Sequence, residues 1–215
     1  SLFDKSDFVA WAGCPSPYYI SNEVPYKSIV TYSPEYFIEN RKINIYTNHL
    51  AEKIDFEKKT VKIKGNKIDE EIIYDYLVLS TGSKVFIPKI DGFDENIDGI
   101  FKLNHISDTL KIKKYLDKNN IKKSCILGAG FIGLEMAESF KKIGLEVNII
   151  EKFDKIMPNL NKKIRQEIEK KLAENNIHLF LSNSIKKINS EENKLKSIIL
   201  ENGEKIETDI LLTSV

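Results

Sequence analysis

The stretch "KSCILGAGFIGLEMAESFKKIGLEVNIIEK", residues 123–152, decides the fold. "KSCILGAG" (123–130) reads as a strand that ends in glycines. "FIGLEMAESFKKIG" (131–144) reads as a helix stopped by Gly144, and "LEVNIIEK" (145–152) as a second strand. Gly128, Gly130 and Gly133 stand in G-x-G-x-x-G spacing, with Phe131 and Ile132 between the last two. On its own that spacing says little. Here it leaves a predicted strand, opens a predicted helix and is followed by Glu151 at the end of the next strand. In such a loop Gly128 permits the tight turn, Gly130 lets a pyrophosphate approach the backbone, and Gly133 lets helix pack on strand. The helix N-terminus offers unpaired N–H groups to phosphate oxygens. A carboxylate about 20 residues on accepts hydrogen bonds from ribose hydroxyls and repels a 2′-phosphate, so Glu151 favours NADH over NADPH. Lys152 softens that preference, and Glu135, inside the helix, is a secondary candidate. The competing reading is a glycine-rich turn that binds nothing.

Outward from this stretch the rhythm continues. Helices are predicted over 107–120, with Asp108 near the start, and over 159–176, where Ile164, Ile168 and Leu172 recur at helical spacing. "HLFLS" (178–182) is a third strand, and 195–215 reads as a hairpin through Asn202-Gly203 leading into a last strand. Strand, helix, strand, helix, strand is the doubly wound α/β pattern, with a boundary near residue 104. Before it, the spacing predicts a strand end at 1–5, loop and turn over 6–28, a short helix at 33–43 and a strand at 43–48. A hairpin or meander follows, then a buried strand over 76–80 that Gly82 ends.

Lys and Arg number 33, Asp and Glu 32, so net charge gives no case for nucleic-acid or anionic-membrane partners. Hydrophobic residues make up 41%, enough for a real core. Two distant cysteines make no disulfide framework, and with His49, His105 and His178 they show no metal-ligand spacing. That usage fits a reducing, cytoplasmic compartment. No apolar run of about 18 residues is present, so no membrane span is expected. The chain opens on Ser and closes on "DILLTSV", so both ends are expected to be cuts.

Cys14 sits in "WAGCPSPYYI" (11–20), a turn-prone aromatic stretch. A thiol does redox work only if its thiolate is stabilised and reachable, and the neighbouring sequence supplies no base. From residues alone, a plain turn thiol and a redox thiol both stand. Cys125, inside an apolar strand, reads as a buried structural thiol.

Several stretches, in order, resemble one family. "DFVAWAGCPSPYYI" (7–20) resembles the S-F-x-x-C-x-x-P-Y-Y-I active-site segment of coenzyme A-disulfide reductases. "YDYLVLSTGSKVFIPKIDG" (74–92) is similar to that family's strand and A-T-G segment beside the flavin. "FKLNHISDTLKIKKYLD", "GAGFIGLEMAE" and "MPNLNKKI" look like its NADH-domain entry, fingerprint and following helix. The wider family is the FAD-dependent pyridine nucleotide-disulfide oxidoreductases. The resemblance implies FAD and NADH as cofactors, with NADPH open, and a Rossmann-like fold of two nucleotide-binding domains with a β-meander. It implies a partial FAD domain over 1–104 with the redox cysteine, and a NAD(H) domain over 105–215. It assigns Cys14 as the single redox cysteine, forming a mixed disulfide with coenzyme A or, in the oxidase and peroxidase relatives, a sulfenic acid. Asp4 and Lys5 match the acid that holds the flavin ribose and its neighbour. Ala51 matches an adenine contact, and Ser80, Thr81 and Gly82 match the A-T-G segment. Arg41 or Lys42 falls near a basic residue that meets coenzyme A phosphates. Ala10-Trp11 and Gly13 depart from the family's S-F and Asn, while Tyr18 and Tyr19 keep its pattern. The resemblance also implies roughly thirty preceding residues with the flavin's own glycine loop, and a later dimerisation domain in a homodimeric parent. The implied activity is NADH-dependent reduction of coenzyme A disulfide or a related small disulfide or persulfide. The alternatives are an NADH oxidase or peroxidase, and a truncated module that binds NADH without catalysis.

Overall fold

The computed structural model describes residues 1–214. Val215, the last residue of the expected final strand and second domain, lies outside the described residues. The chain runs through β1 (Leu2–Asp4), β2 (Ala10–Trp11), α1 (Ser16–Ile20), a 3-10 turn (Tyr26–Ser28), β3 (Val30–Tyr32), α2 (Pro34–Arg41), β4 (Ile45–Thr47), β5 (His49–Asp55), β6 (Thr60–Gly65) and β7 (Asp69–Ile73). It continues through β8 (Ile100–Lys102), α3 (Ile106–Lys118), β9 (Lys123–Leu127), α4 (Phe131–Lys142), β10 (Glu146–Ile150), α5 (Lys162–Glu174) and β11 (Ile177–Phe180). The last elements are β12 (Ile185–Glu191), β13 (Lys194–Leu200), β14 (Lys205–Glu207) and β15 (Ile210–Thr213). Two compact units form: one from Ser1–Pro15 and Pro25–Ser83, the other from Ser16–Val24 and everything from Lys84 onward.

The second unit is a parallel five-stranded sheet in the order β11-β10-β9-β15-β8. Side chains alternate across β9. Ile126 joins a core with Met136 and Phe140 of α4, Ile112 of α3 and Leu172 of α5. Cys125 and Leu127 point the other way, into a core with Ile198 of β13, Ile206 of β14 and Leu211 of β15. Helices therefore cover one face and the antiparallel β12-β13-β14 meander the other. A sheet covered on both faces needs apolar residues at successive positions, which is what 125–127 and 149–150 provide. A parallel Rossmann-like α/β sheet with a β-meander is the arrangement expected from the sequence, but among the described residues it carries helices on one face only rather than being doubly wound.

Local chemistry fixes the helix ends. Asp108 Oδ2 accepts from His105 N (3.0 Å) and Asn104 N (3.1 Å), closing a capping box at the start of α3. Asn161 Oδ1 accepts from Lys163 N (2.9 Å) at the start of α5. Gly144 follows α4 in the left-handed region, φ 87°. In α5 the expected stripe narrows: Leu172 is buried and Ile164 is exposed.

The first unit is built from smaller sheets. β1 pairs in parallel with β4, β2 pairs antiparallel with β3, and β5-β6-β7 form the expected meander. His49 is buried beside Gly65; its Nε2 accepts from Lys67 N (3.3 Å) and Ile68 N (3.2 Å), which leaves Nδ1 to donate to Thr47 O at 2.7 Å.

Two further expectations change. The buried strand at 76–80 is absent: the segment has no regular structure, Tyr76 is 94% exposed and Val78 85%. Among the described residues no strand pairs with it, and an unpaired strand has no ladder to hold it. The loop expected over 6–28 contains α1, because Ile20, only 1% exposed, drives into the helix-side core of the second unit. The second compact unit resumes at Lys84, and its β8 pairs in parallel with β15. No described helix is long and apolar enough to cross a membrane.

Candidate nucleotide site and redox cysteine

The glycine loop leaves the carboxyl end of β9, at the centre of the parallel sheet. Gly128 N donates to Ile150 O (2.8 Å), and its φ of 108° turns the chain sharply. A Cβ on Gly133 would lie 2.1 Å from Gly128 O, so the start of α4 packs on the loop with no room for a side chain. Gly130 is different. A Cβ there would meet nothing within 4 Å, and its φ is an ordinary −80°. No protein atom explains that glycine; what it preserves is open space in front of the backbone. Beside that space α4 begins with no side-chain cap and no acid in its first turn. Its first N–H groups have no partner within the helix and carry the positive end of its dipole. The cradle fits a dinucleotide pyrophosphate. Phe131 (72% exposed) and Ile132 stand at its rim. Glu135 is exposed on α4.

Glu151 closes the other side. Its Oε2 accepts from Ala129 N (2.8 Å), inside the glycine loop, and its Oε1 accepts from Phe153 N (2.9 Å). One carboxylate thus clasps the two loops at the ends of β9 and β10. Each oxygen keeps a lone pair free for a ribose hydroxyl. Lys152 and Phe153 are exposed beside it. Sequence spacing pointed to the glutamate but not to the clasp or to Phe153, because backbone partners leave no trace in residue type.

In the first unit, Cys14 is exposed and free. It follows Gly13, where a Cβ would sit 3.3 Å from the Trp11 ring, so the bulky Trp11 and the missing side chain at 13 go together. Ala12 N donates to Ile29 O (2.9 Å), tying down the strand that ends before the thiol. Cys125 is the opposite case: burial pushes its thiol up to about 12, with Thr208 partly opposing the shift. It stays a thiol and is inert.

The remaining positions implied by resemblance sit on several elements of the first unit. Asp4, half-buried at the end of β1, accepts at Oδ1 from Ser6 N and Ser6 Oγ, both at 2.7 Å, while Lys5 is exposed. Ala51 is exposed on β5. Ser80, Thr81 and Gly82 are exposed in the irregular segment, with Gly82 at φ 67°. Arg41 is the last residue of α2, and Lys42 is its left-handed cap at φ 56°; both are exposed where a helix C-terminus favours cations.

The profile of one protein family, described as pyridine nucleotide-disulphide oxidoreductase, matches residues 2–215. The chain is 35% identical to a protein of Methanocaldococcus jannaschii named NADH oxidase, across 98% of this chain and 47% of that one. It is 31% identical to coenzyme A disulfide reductase of Staphylococcus aureus, across 91% of this chain and 44% of that one. The solved structure of an NAD-dependent persulfide reductase from A. fulgidus is similar at a TM-score of 0.91 and 30% identity, covering 99% of this chain and 39% of that one. The chain spans about half the length of the curated relatives it matches.

Proposed function

Because the chain belongs to the pyridine nucleotide-disulphide oxidoreductase family, we propose that it is the nucleotide-binding core of a flavin-dependent NAD(P)H:disulfide oxidoreductase. The substrate is coenzyme A disulfide or a related small disulfide or persulfide, and Cys14 is the redox thiol. The open backbone at Gly130, beside an uncapped helix N-terminus and clasped by Glu151, is the observation that carries the reading. Gly128, Gly130, Phe131, Ile132 and Gly133 present the phosphate cradle. Glu151 accepts from the adenosine ribose, which makes NADH the preferred donor. The proposed division is a partial flavin domain over 1–104 carrying Cys14 and a NAD(H) domain over 105–215, in a cytoplasmic, homodimeric parent.

Asp4, Lys5, Ala51 and 80–82 would hold FAD, which supplies hydride acceptance from NADH and an electron pair for the thiol centre. The residues' own work is thiol chemistry. The Cys14 thiolate attacks one sulfur of the substrate disulfide. A Cys14–substrate disulfide forms, the substrate S–S bond breaks, and one thiolate leaves and takes a proton from water. An electron pair originating in NADH then breaks the mixed disulfide, releasing the second thiol and restoring the Cys14 thiolate. Overall, NADH, a proton and one disulfide give NAD⁺ and two thiols. Arg41 or Lys42 would meet the substrate's phosphates, a charge-assisted contact that either cation supplies.

A second reading, NADH oxidase or peroxidase through a Cys14 sulfenic acid, is favoured by the name of the Methanocaldococcus relative. A third, an NADH-binding module without catalysis, is favoured by the exposed stretch at 76–79. One experiment separates them: the visible spectrum of the protein before and after anaerobic NADH, followed by coenzyme A disulfide. Flavin bands that bleach and then recover with release of free thiol support the reductase. Recovery only with oxygen or peroxide supports the oxidase, and a colourless protein that binds NADH supports the module. Cys14→Ser should abolish thiol release and leave bleaching by NADH intact; unchanged thiol release would sink the role of Cys14.

A further inference from the structure

The helix that follows Cys14 does not belong to the unit that carries Cys14. The chain leaves the first unit at Pro15, enters the second at Ser16, and returns after Val24. What holds this excursion is specific. Thr109 Oγ1, on α3, donates to Ser16 Oγ at 3.0 Å, and the two residues are 0% and 3% exposed. Ile20 enters the helix-side core. At the far end Lys142 of α4 binds Glu23 (2.9 Å) and Glu138 (2.9 Å) and lies 5.8 Å from the Tyr18 ring centroid.

A buried hydroxyl pair is an odd choice for stability alone. Two apolar groups of the same shape would serve about as well, whereas losing one hydroxyl leaves the other stranded. What such a pair adds is direction, because the helix can sit in one place only. The sequence between the pair and the thiol is Cys14-Pro15-Ser16-Pro17. Each proline fixes its own φ and restricts the residue before it, so Pro15 and Pro17 stiffen Cys14 and Ser16 in turn. The tether carries few free torsions from Ser16 back to Cys14.

We propose that the Thr109–Ser16 pair is a positioning device for the Cys14 thiol, acting locally through the Pro-Ser-Pro tether that follows it. This rests on Cys14 being the redox thiol. Thr109 touches neither substrate nor cofactor in this role; it acts through Ser16.

The test uses the flavin-loaded protein and two electron acceptors, coenzyme A disulfide, which needs Cys14, and ferricyanide, which takes electrons without it. Thr109→Val should lower disulfide turnover about tenfold to a hundredfold, with the KM for NADH and the ferricyanide rate unchanged. Thr109→Ser, which keeps the hydroxyl, should restore disulfide turnover. Hydrogen exchange at the amides of 18–20 should rise in Thr109→Val and not in Thr109→Ser. Should Thr109→Val fail to fold, Ser16→Ala is read against the same two acceptors. Equal losses on both acceptors, no loss on either, or failure of Thr109→Ser to restore turnover would overturn the positioning role alone. Full disulfide turnover in Cys14→Ser would overturn the functional reading first and the positioning role with it.

Discussion

The runs at 125–127, "CIL", and 77–79, "LVL", are both short apolar stretches leading toward a glycine, and both read as buried strands. One lies in β9, hydrogen-bonded on one side to β10 and on the other to β15, with every residue buried. The other pairs with nothing among the described strands, and Val78 and Leu79 are 85% and 56% exposed. The difference is not in the run. A central parallel strand needs a neighbour on each edge and a cover on each face. Apolar residues in succession state that need, and only the rest of the chain can meet it. Where it is met, at β9, the strand also delivers a glycine loop to a fixed place; where it is not, Ser80, Thr81 and Gly82 remain exposed.

Substitutions can break or sharpen this contrast. The largest effect is expected at Gly133. Gly133→Val puts a side chain where a Cβ already meets Gly128 O at 2.1 Å. It should cost more than about 4 kcal/mol and abolish NADH binding, read by urea unfolding and NADH fluorescence. Next comes a matched pair. Ile126→Ala in β9 should cost about 2–5 kcal/mol, and Val78→Ala less than about 0.5 kcal/mol. Equal losses would mean that the 77–79 run is buried in solution and would end the contrast.

The third effect is alkaline. Burial raises the Cys125 thiol from an ordinary 9.0 to about 12, so between those values the unfolded chain has released a proton that the folded chain keeps. Stability is therefore intact below pH 9 and falls as pH rises, by up to about 1.4 kcal/mol per pH unit. Tyr115, raised from 10.0 to about 12 chiefly by burial, adds a loss of the same sign. Cys125→Val should flatten the first part of that slope, seen in urea midpoints at successive alkaline pH values. Gly130→Ala should leave thermal stability unchanged and weaken NADH about tenfold, about 1.4 kcal/mol. Equal affinity would mean that the space before Gly130 is not where phosphate sits. The smallest change is a ratio. Glu151→Arg should move preference toward NADPH while weakening both nucleotides, since it also removes the clasp on Ala129 and Phe153. An unchanged ratio would assign the ribose to another group.

The glycine loop, its flanking strands and helix, and Glu151 were legible because each depends on residue type at fixed spacing. β12 was not. Its pairing with β13 shifts register between Ile185 and Lys187, so Ile185 and Ile188, three apart, are both buried in one core and the period of two disappears. α1 was hidden for another reason: five residues with one proline among them and another just before carry no helical signal, and Ile20 declares itself only through a core that lies far away in sequence. The Thr109–Ser16 pair spans 93 residues and joins two unremarkable hydroxyls. The resemblance pointed to the cysteine segment, but the thiol's exposure needed coordinates.

That long span has a consequence for synthesis. Ser16–Val24 emerges from the ribosome well before any element it packs against. The rest of the first unit, through Ser83, can be complete while Ile20 still waits in water for α3 and α4 to be made. Translation therefore sets an order that the finished molecule conceals: the segment after Cys14 is made before α3 and α4 and finds its seat only once they exist.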